Sequence, residues 1–163
     1  MKRVLVTLLG LSLMFVFACK RPGHVKTQLI ARTGEKTITI AISDNGSGGY
    51  TLEASVPNKA YLKKGLHRIH WIVINNTQAA TVNSLVIDGF HDSGGHADPF
   101  EGTAGDQKFE FPMIGVGDES SMTSNKAKRF PSGPEREFKY KVTVRIAGVG
   151  TPVTVDPVVV VGD

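Results

Sequence analysis

The residues best suited to chemistry crowd into one glycine-rich segment. His91 and His96 flank Asp92, Ser93, Gly94 and Gly95, and Asp98 follows two residues later. Imidazole and carboxylate are nitrogen and oxygen donors that suit zinc or divalent copper. The spacing matches no fixed ligand motif, and ordering so many glycines around an ion is entropically costly. His91, His96 and Asp98 are therefore a candidate metal site, weighed against a solvated or partner-facing loop. His67 and His70 cannot both join a site, because a separation of three on a strand puts them on opposite faces. Met113 and Met122 are soft donors for copper, although isolated methionines usually pack. Asp118 with Glu119, and Glu135 with Glu137 around Arg136, are acid pairs whose default is solvation. No Walker loop, dinucleotide fingerprint or Gly-x-Ser-x-Gly elbow occurs. The sequence thus calls for no cofactor and shows no assembled catalytic set, and a non-enzymatic protein is expected.

The elements that must position these groups are strands. Thr37 to Ile42 places three isoleucines on one face, the period of two of a half-buried strand. Ser43 to Gly49 is dense turn chemistry, and Tyr50 to Val56 reads as the returning strand of a hairpin. Gly65 ends a short turn before a strand from His67 to Asn75. Both faces of that strand are partly apolar, which predicts a central position. Asn75-Asn76-Thr77 turns, and Val82 to Ile87 follows as a strand. Gly89 to Gly105, with five glycines, reads as a long loop. Gln107 to Phe111 is short, with Phe109 and Phe111 inward. Phe138 to Ile146 alternates without a fault, apolar at every even position. Pro152 to Val161 gives a last strand, with Asp156-Pro157 interrupting it at a bulge or edge. No helix of adequate length follows the amino-terminal segment, and there is no internal repeat. The expectation is an all-β protein with a single β-sandwich of Greek-key type over residues 37–163.

Phe90, Phe100 and Phe130 lie in or beside the Gly/Pro-rich segments. They either plug the open ends of the sandwich or present an apolar surface to an envelope protein or glycan. Loops grouped at a sandwich end are a common place for binding.

The amino terminus carries a different message. Met1-Lys2-Arg3 is a short positive head, and Val4 to Ala18 is an apolar run broken only by Thr7, Gly10 and Ser12. That is the anatomy of an export signal, short for a permanent membrane span. Val16-Phe17-Ala18-Cys19 resembles the bacterial lipobox, with Phe17 where a smaller or β-branched residue is usual. The resemblance implies cleavage after Ala18 and attachment of membrane lipid at Cys19, the only cysteine of the chain. Residues 1–18 are then a signal peptide and residues 19–36 a lipid attachment and tether. Lys20, standing where Asp is absent, points by the same resemblance to the outer membrane. The expected location is the bacterial cell envelope, facing the periplasm or surface.

Of 163 residues, cleavage would leave 145 and take Lys2 and Arg3 with the signal. The 19 basic residues then fall to 17 against 15 acidic ones, a net charge of +2. No nucleic-acid partner is expected at that balance. Lys126, Lys128 and Arg129 form one small basic cluster that could meet lipid head groups or phosphate, with a solvated loop as the plain reading.

Two further resemblances attach to these residues. Leu62-Lys63-Lys64-Gly65 followed by Ile69 to Asn76 looks like the cupredoxin strand that follows a Lys-Gly turn and ends at Asn, and Phe138 to Val144 is similar to a late strand of such domains. An immunoglobulin-like sandwich is the alternative. The cupredoxin resemblance implies a scaffold without electron transfer, since a blue-copper site needs a thiolate and the fold body has no cysteine. Asp92-Ser93-Gly94-Gly95 resembles the surroundings of the trypsin-like nucleophile over four residues only, with no matching histidine before it. The leading expectation is a lipid-anchored binding protein that uses sandwich-end loops. A periplasmic copper or zinc protein using His91 and His96 is the alternative.

Overall fold

The structure, a computed structural model, describes residues 34–55, 59–95, 98–102, 107–130 and 135–162. The expected signal segment, Cys19 and His96 lie outside these residues. Ten strands follow one another: β1 Glu35–Asp44, β2 Tyr50–Ala54, β3 Lys59–Lys63, β4 Arg68–Asn75, β5 Val82–His91, β6 Phe109–Phe111, β7 Glu119–Thr123, β8 Arg136–Ile146, β9 Val153–Val155 and β10 Val158–Gly162. They form two mixed sheets, one in the order β2-β1-β4-β7, the other β3-β10-β8-β5-β6 with β9 also on β8. The chain is an all-β sandwich, as the alternating patterns require.

The hairpin β1–β2 closes as its sequence dictates. Asn45 Oδ1 accepts from the Ser47 and Gly49 amides at 2.9 Å each, and Gly46 and Gly48 supply positive φ. Ile38, Ile40 and Ile42 then point inward together. β1 runs parallel to β4, whose Ile69, Trp71 and Val73 extend the same buried layer. β4 lies between β1 and β7, which explains why its outward Ile72 is buried as well. From the other sheet, Leu85, Ile87, Phe138, Tyr140, Val142, Val144 and Val159 complete the core. Asp156 and Pro157 split the last strand where expected: β9 pairs with Val142–Val144, β10 with Arg136–Lys139, and the Pro157 carbonyl accepts from the Tyr140 amide at 3.1 Å.

Three expectations need correction. β5 runs on to His91, so Gly89 and Phe90 belong to a strand and not to the loop. Gly89 takes φ 65°, and the pairing with β8 shifts register between Asp88 and His91, which admits the irregularity without ending the strand. β3 and β7 were not expected at all. β3 adds to β10 in parallel and β7 to β4 antiparallel, each at a sheet edge.

The chain crosses repeatedly between sheets, so its connections gather at two ends. The near end holds the start of β1 and β4, where the described chain begins at Gly34, and the Gly34 carbonyl accepts from the Arg68 amide at 2.9 Å. The far end holds the close of β1, β4 and β8 and the start of β5.

Candidate functional site

At the near end, the segment that carried the metal expectation is organised by cations. Asp92 opens an Asx turn, accepting the Gly94 amide on Oδ1 at 2.9 Å, while its carbonyl accepts from Gly95 at 3.1 Å. Its other carboxylate oxygen meets Arg136 Nη1 at 3.4 Å, and the same guanidinium lies 4.5 Å above the Phe130 ring. Asp98 faces Lys128, 3.9 Å away. His91 donates from Nδ1 to the carbonyl of its own neighbour Gly89 at 2.8 Å. His91 and Asp98 thus have separate partners, and His96 lies outside the described residues. Among the described residues no group of three or more His, Cys, Asp or Glu stands together to hold a metal. Ser93 is exposed in the Asx turn.

The three phenylalanines divide. Phe90 and Phe100 are 2% and 1% exposed, so neither offers a surface. Phe100 meets Trp71 edge-on at 5.9 Å between ring centroids and Phe90 at 5.7 Å, and Phe90 stacks on Tyr140 at 5.1 Å. A backbone bridge from Phe100 to Ala127 sews the 98–102 segment onto 124–128. They plug the near end. Phe130 is half-buried, stacked on Phe138 at 5.7 Å beneath Arg136. Inside this plug, burial pushes the Tyr140 phenol up to about 12, against the smaller opposing pull of the Trp71 indole. That indole Nε1–H is buried without a completed hydrogen bond.

The near end also gathers bases that are distant in sequence. Residues 63–67 form a tight turn: the Lys63 carbonyl accepts from Leu66 and His67 at 3.2 and 3.1 Å, and the Gly65 amide donates to Ala127 at 2.7 Å. Gly65 takes φ 64°, and a Cβ there would collide with the Arg129 guanidinium lying across it. The Lys63 amide donates to His67 Nδ1 at 3.0 Å. Burial, then the charges of Lys36 and Lys63, hold His67 below the ordinary histidine range. Leu66 stands 47% exposed at the tip.

The far end is built on Asn75. Its side chain is fully buried, donating to the carbonyls of Ala80 at 2.9 Å and Ile114 at 3.1 Å, and accepting from the Thr77 amide and hydroxyl at 3.1 and 2.8 Å. One amide group therefore fixes both the 76–81 turn and the loop through Ile114, and a buried Asn75 is no glycan acceptor despite the Asn75-Asn76-Thr77 triplet. Further amide bonds, Gly117 to Asn75 at 2.8 Å and Ala147 to Thr81 at 2.9 Å, bring the 112–118 and 147–151 loops beside it. These loops expose Met113, Val116 and Val149, Met113 by 71%. Met122 packs on the core as expected, whereas Met113 does not. Beside them is a shallow concavity of about 590 Å³ lined by Asp44, Tyr50, Gln78 to Thr81 and Ala147. No pattern in the sequence separates these exposed apolar residues from core ones; only their place in a glycine-flanked connection hints at it.

A second concavity, about 690 Å³, lies on the outward face of β5, β6 and β8 between Asp88, Lys108, Glu110 and Arg145. Lys108 and Glu110 are paired there, which raises the lysine through the carboxylate's hydrogen bond and charge.

No family model matches the chain, and no curated protein matches it. Among solved structures it is similar to Fet3p, a multicopper oxidase that functions in iron import, at 6% identity and TM-score 0.33, over 83% of this chain and 29% of that one. A multicopper oxidase from Pediococcus acidilactici is similar at 12% identity and TM-score 0.33, over 78% of this chain and 26% of that one. The chain spans less than a third of those oxidases. Likeness this distant carries no inference about chemistry.

Proposed function

We propose that this chain is a lipid-anchored, non-enzymatic protein of the bacterial envelope that binds an envelope protein through its far-end loops. One observation carries the reading: Met113, Val116 and Val149 are exposed on connections hydrogen-bonded to Asn75 and Thr81, at the end opposite the start of β1. An anchor at Cys19 would attach to the near end, leaving the apolar loops turned toward a partner. Exposed apolar side chains on an ordered scaffold are what a binding surface needs, since little ordering entropy opposes contact.

The test has two arms. Mass measurement of the mature amino terminus is expected to show lipid on Cys19; an unmodified thiol there overturns the anchor. A photoreactive residue at Met113 is expected to give a discrete cross-linked protein in cells, while one at Lys139 on the outer sheet face does not. Adducts of equal yield from both positions, or turnover of a substrate abolished by far-end substitutions, would overturn the binding role.

A further inference from the structure

We infer that the near end is a membrane-facing surface, on which Lys36, Lys63, Lys126 and Arg129 surround the exposed Leu66 and settle on anionic phospholipid. The proposal takes its orientation from the anchored reading above, but its chemistry stands on this end alone.

Folding assembles the patch. The β3–β4 turn carries Lys63 and Leu66, the 124–130 segment carries Lys126 and Arg129, and the start of β1 carries Lys36. Gly65 bonds Ala127, the Ala127 amide returns to the His67 carbonyl at 2.7 Å, and Arg129 lies across Gly65, so the first two segments form one surface. Lys36 joins it by pairing in register with Ile69, two residues beyond His67. Acids at this end do not cancel it among the described residues. Arg68 pairs in register with Glu35, Lys128 faces Asp98 and Arg136 faces Asp92. Lys36, Lys63, Lys126 and Arg129 then outnumber Glu101 and Glu135.

The occupant follows from where the chain enters. The described chain begins at Gly34, whose carbonyl accepts from the Arg68 amide just beyond the turn that carries Leu66. A lipid on Cys19 is 15 residues away, a reach of at most about 50 Å. An anchoring bilayer would thus lie continuously within reach of this end. Basic side chains near an anionic leaflet each strengthen attachment about fivefold, and an apolar tip among them enters the headgroup boundary.

The measurement is co-sedimentation of residues 20–163, without lipid or signal. Every strand and every core side chain of the described residues falls within 35–162, so this segment carries the described fold. Vesicles are phosphatidylcholine alone or mixed with phosphatidylglycerol. Binding is expected only to the mixture and is expected to weaken as salt is raised. Lys63→Glu/Lys126→Glu/Arg129→Glu is expected to lower affinity about a hundredfold or more, while Lys63→Arg/Lys126→Arg/Arg129→Lys retains it; circular dichroism checks that both fold. Equal binding to both vesicles, absence of binding, or loss in the charge-conserving variant with its fold intact overturns the proposal. So does retention on single-stranded oligonucleotide as strong as on the mixed vesicles. Because the segment carries no lipid, these outcomes leave the anchor and the far-end role to their own tests.

Discussion

His67 can accept the Lys63 amide only while its Nδ1 is unprotonated, so acid acts directly on the β3–β4 turn. Burial and two lysines keep its folded pKa below the ordinary 6.5. The unfolded chain therefore takes the proton first. Stability from this group is whole above that value and is lost as pH falls through the depressed folded one. Chemical-denaturation midpoints measured from neutral pH down to about 5 should fall less steeply for His67→Gln than for the native chain. Tyr140 works in the opposite direction. Its folded pKa is raised to about 12 by burial, so the stability it contributes is present below 10 and is lost as pH climbs toward that value. Tyr140→Phe should flatten this alkaline decline and remove one late-titrating phenolate from the ultraviolet titration. Asn75 is not a matter of pH but of satisfaction. Replacing it with Ala orphans the Thr77 amide and takes one bond each from the Ala80 and Ile114 carbonyls, which keep the Thr77 hydroxyl and the Val82 amide as donors. A loss of about 1–3 kcal/mol in unfolding free energy is expected.

Among the elements, the strands with a long one-sided pattern were legible and the short edge strands were not. β1, β4 and β8 each bury three or more side chains from one face, and an alternation of that length has no helical reading. β3 buries only Ala60 and Leu62 between lysines, too few turns of the pattern to stand out, and β7 is mostly Ser and Thr. Their existence is owed to partners β10 and β4, which local sequence cannot display. Phe90 misled for a related reason: Gly89 signals a break, yet the bulge absorbs it and the strand continues. The sites were less legible still. His91 and Asp98 are near in sequence but are claimed by Gly89 and Lys128, whereas Lys36, Lys63 and Arg129 are far apart in sequence and share one end. Only pairing order could reveal that. The 98–102 segment tests how far packing makes an element of a loop. Phe100 is fully enclosed by Trp71, Phe90 and Phe109. Phe100→Ala should cost about 3–5 kcal/mol by thermal or chemical unfolding, whereas the half-buried Phe130 should cost distinctly less on the same substitution.

Across the whole molecule, the sandwich separates two surfaces by the length of its strands, charge at one end and apolar side chains at the other. The separation follows from topology: β1 and β4 run in parallel from the near end to the far end, so whatever enters at Gly34 is held a full strand length from Asn75. Groups so far apart with no shared partner act additively, and this makes the division of labour testable in one crossed design. Met113→Asp/Val116→Asp changes exposed loop side chains outside the Asn75 hydrogen bonds, so unfolding free energy should move by no more than about 0.5 kcal/mol. Cross-linking from a far-end probe at Val149 should nevertheless be lost, while sedimentation with phosphatidylglycerol vesicles stays at the native level. The near-end charge reversal should give the mirror result, losing vesicles and keeping the cross-link in detergent extracts. A far-end variant that also released the domain from vesicles would mean that one surface serves both contacts, and the picture of a rigid spacer between membrane and partner would fail.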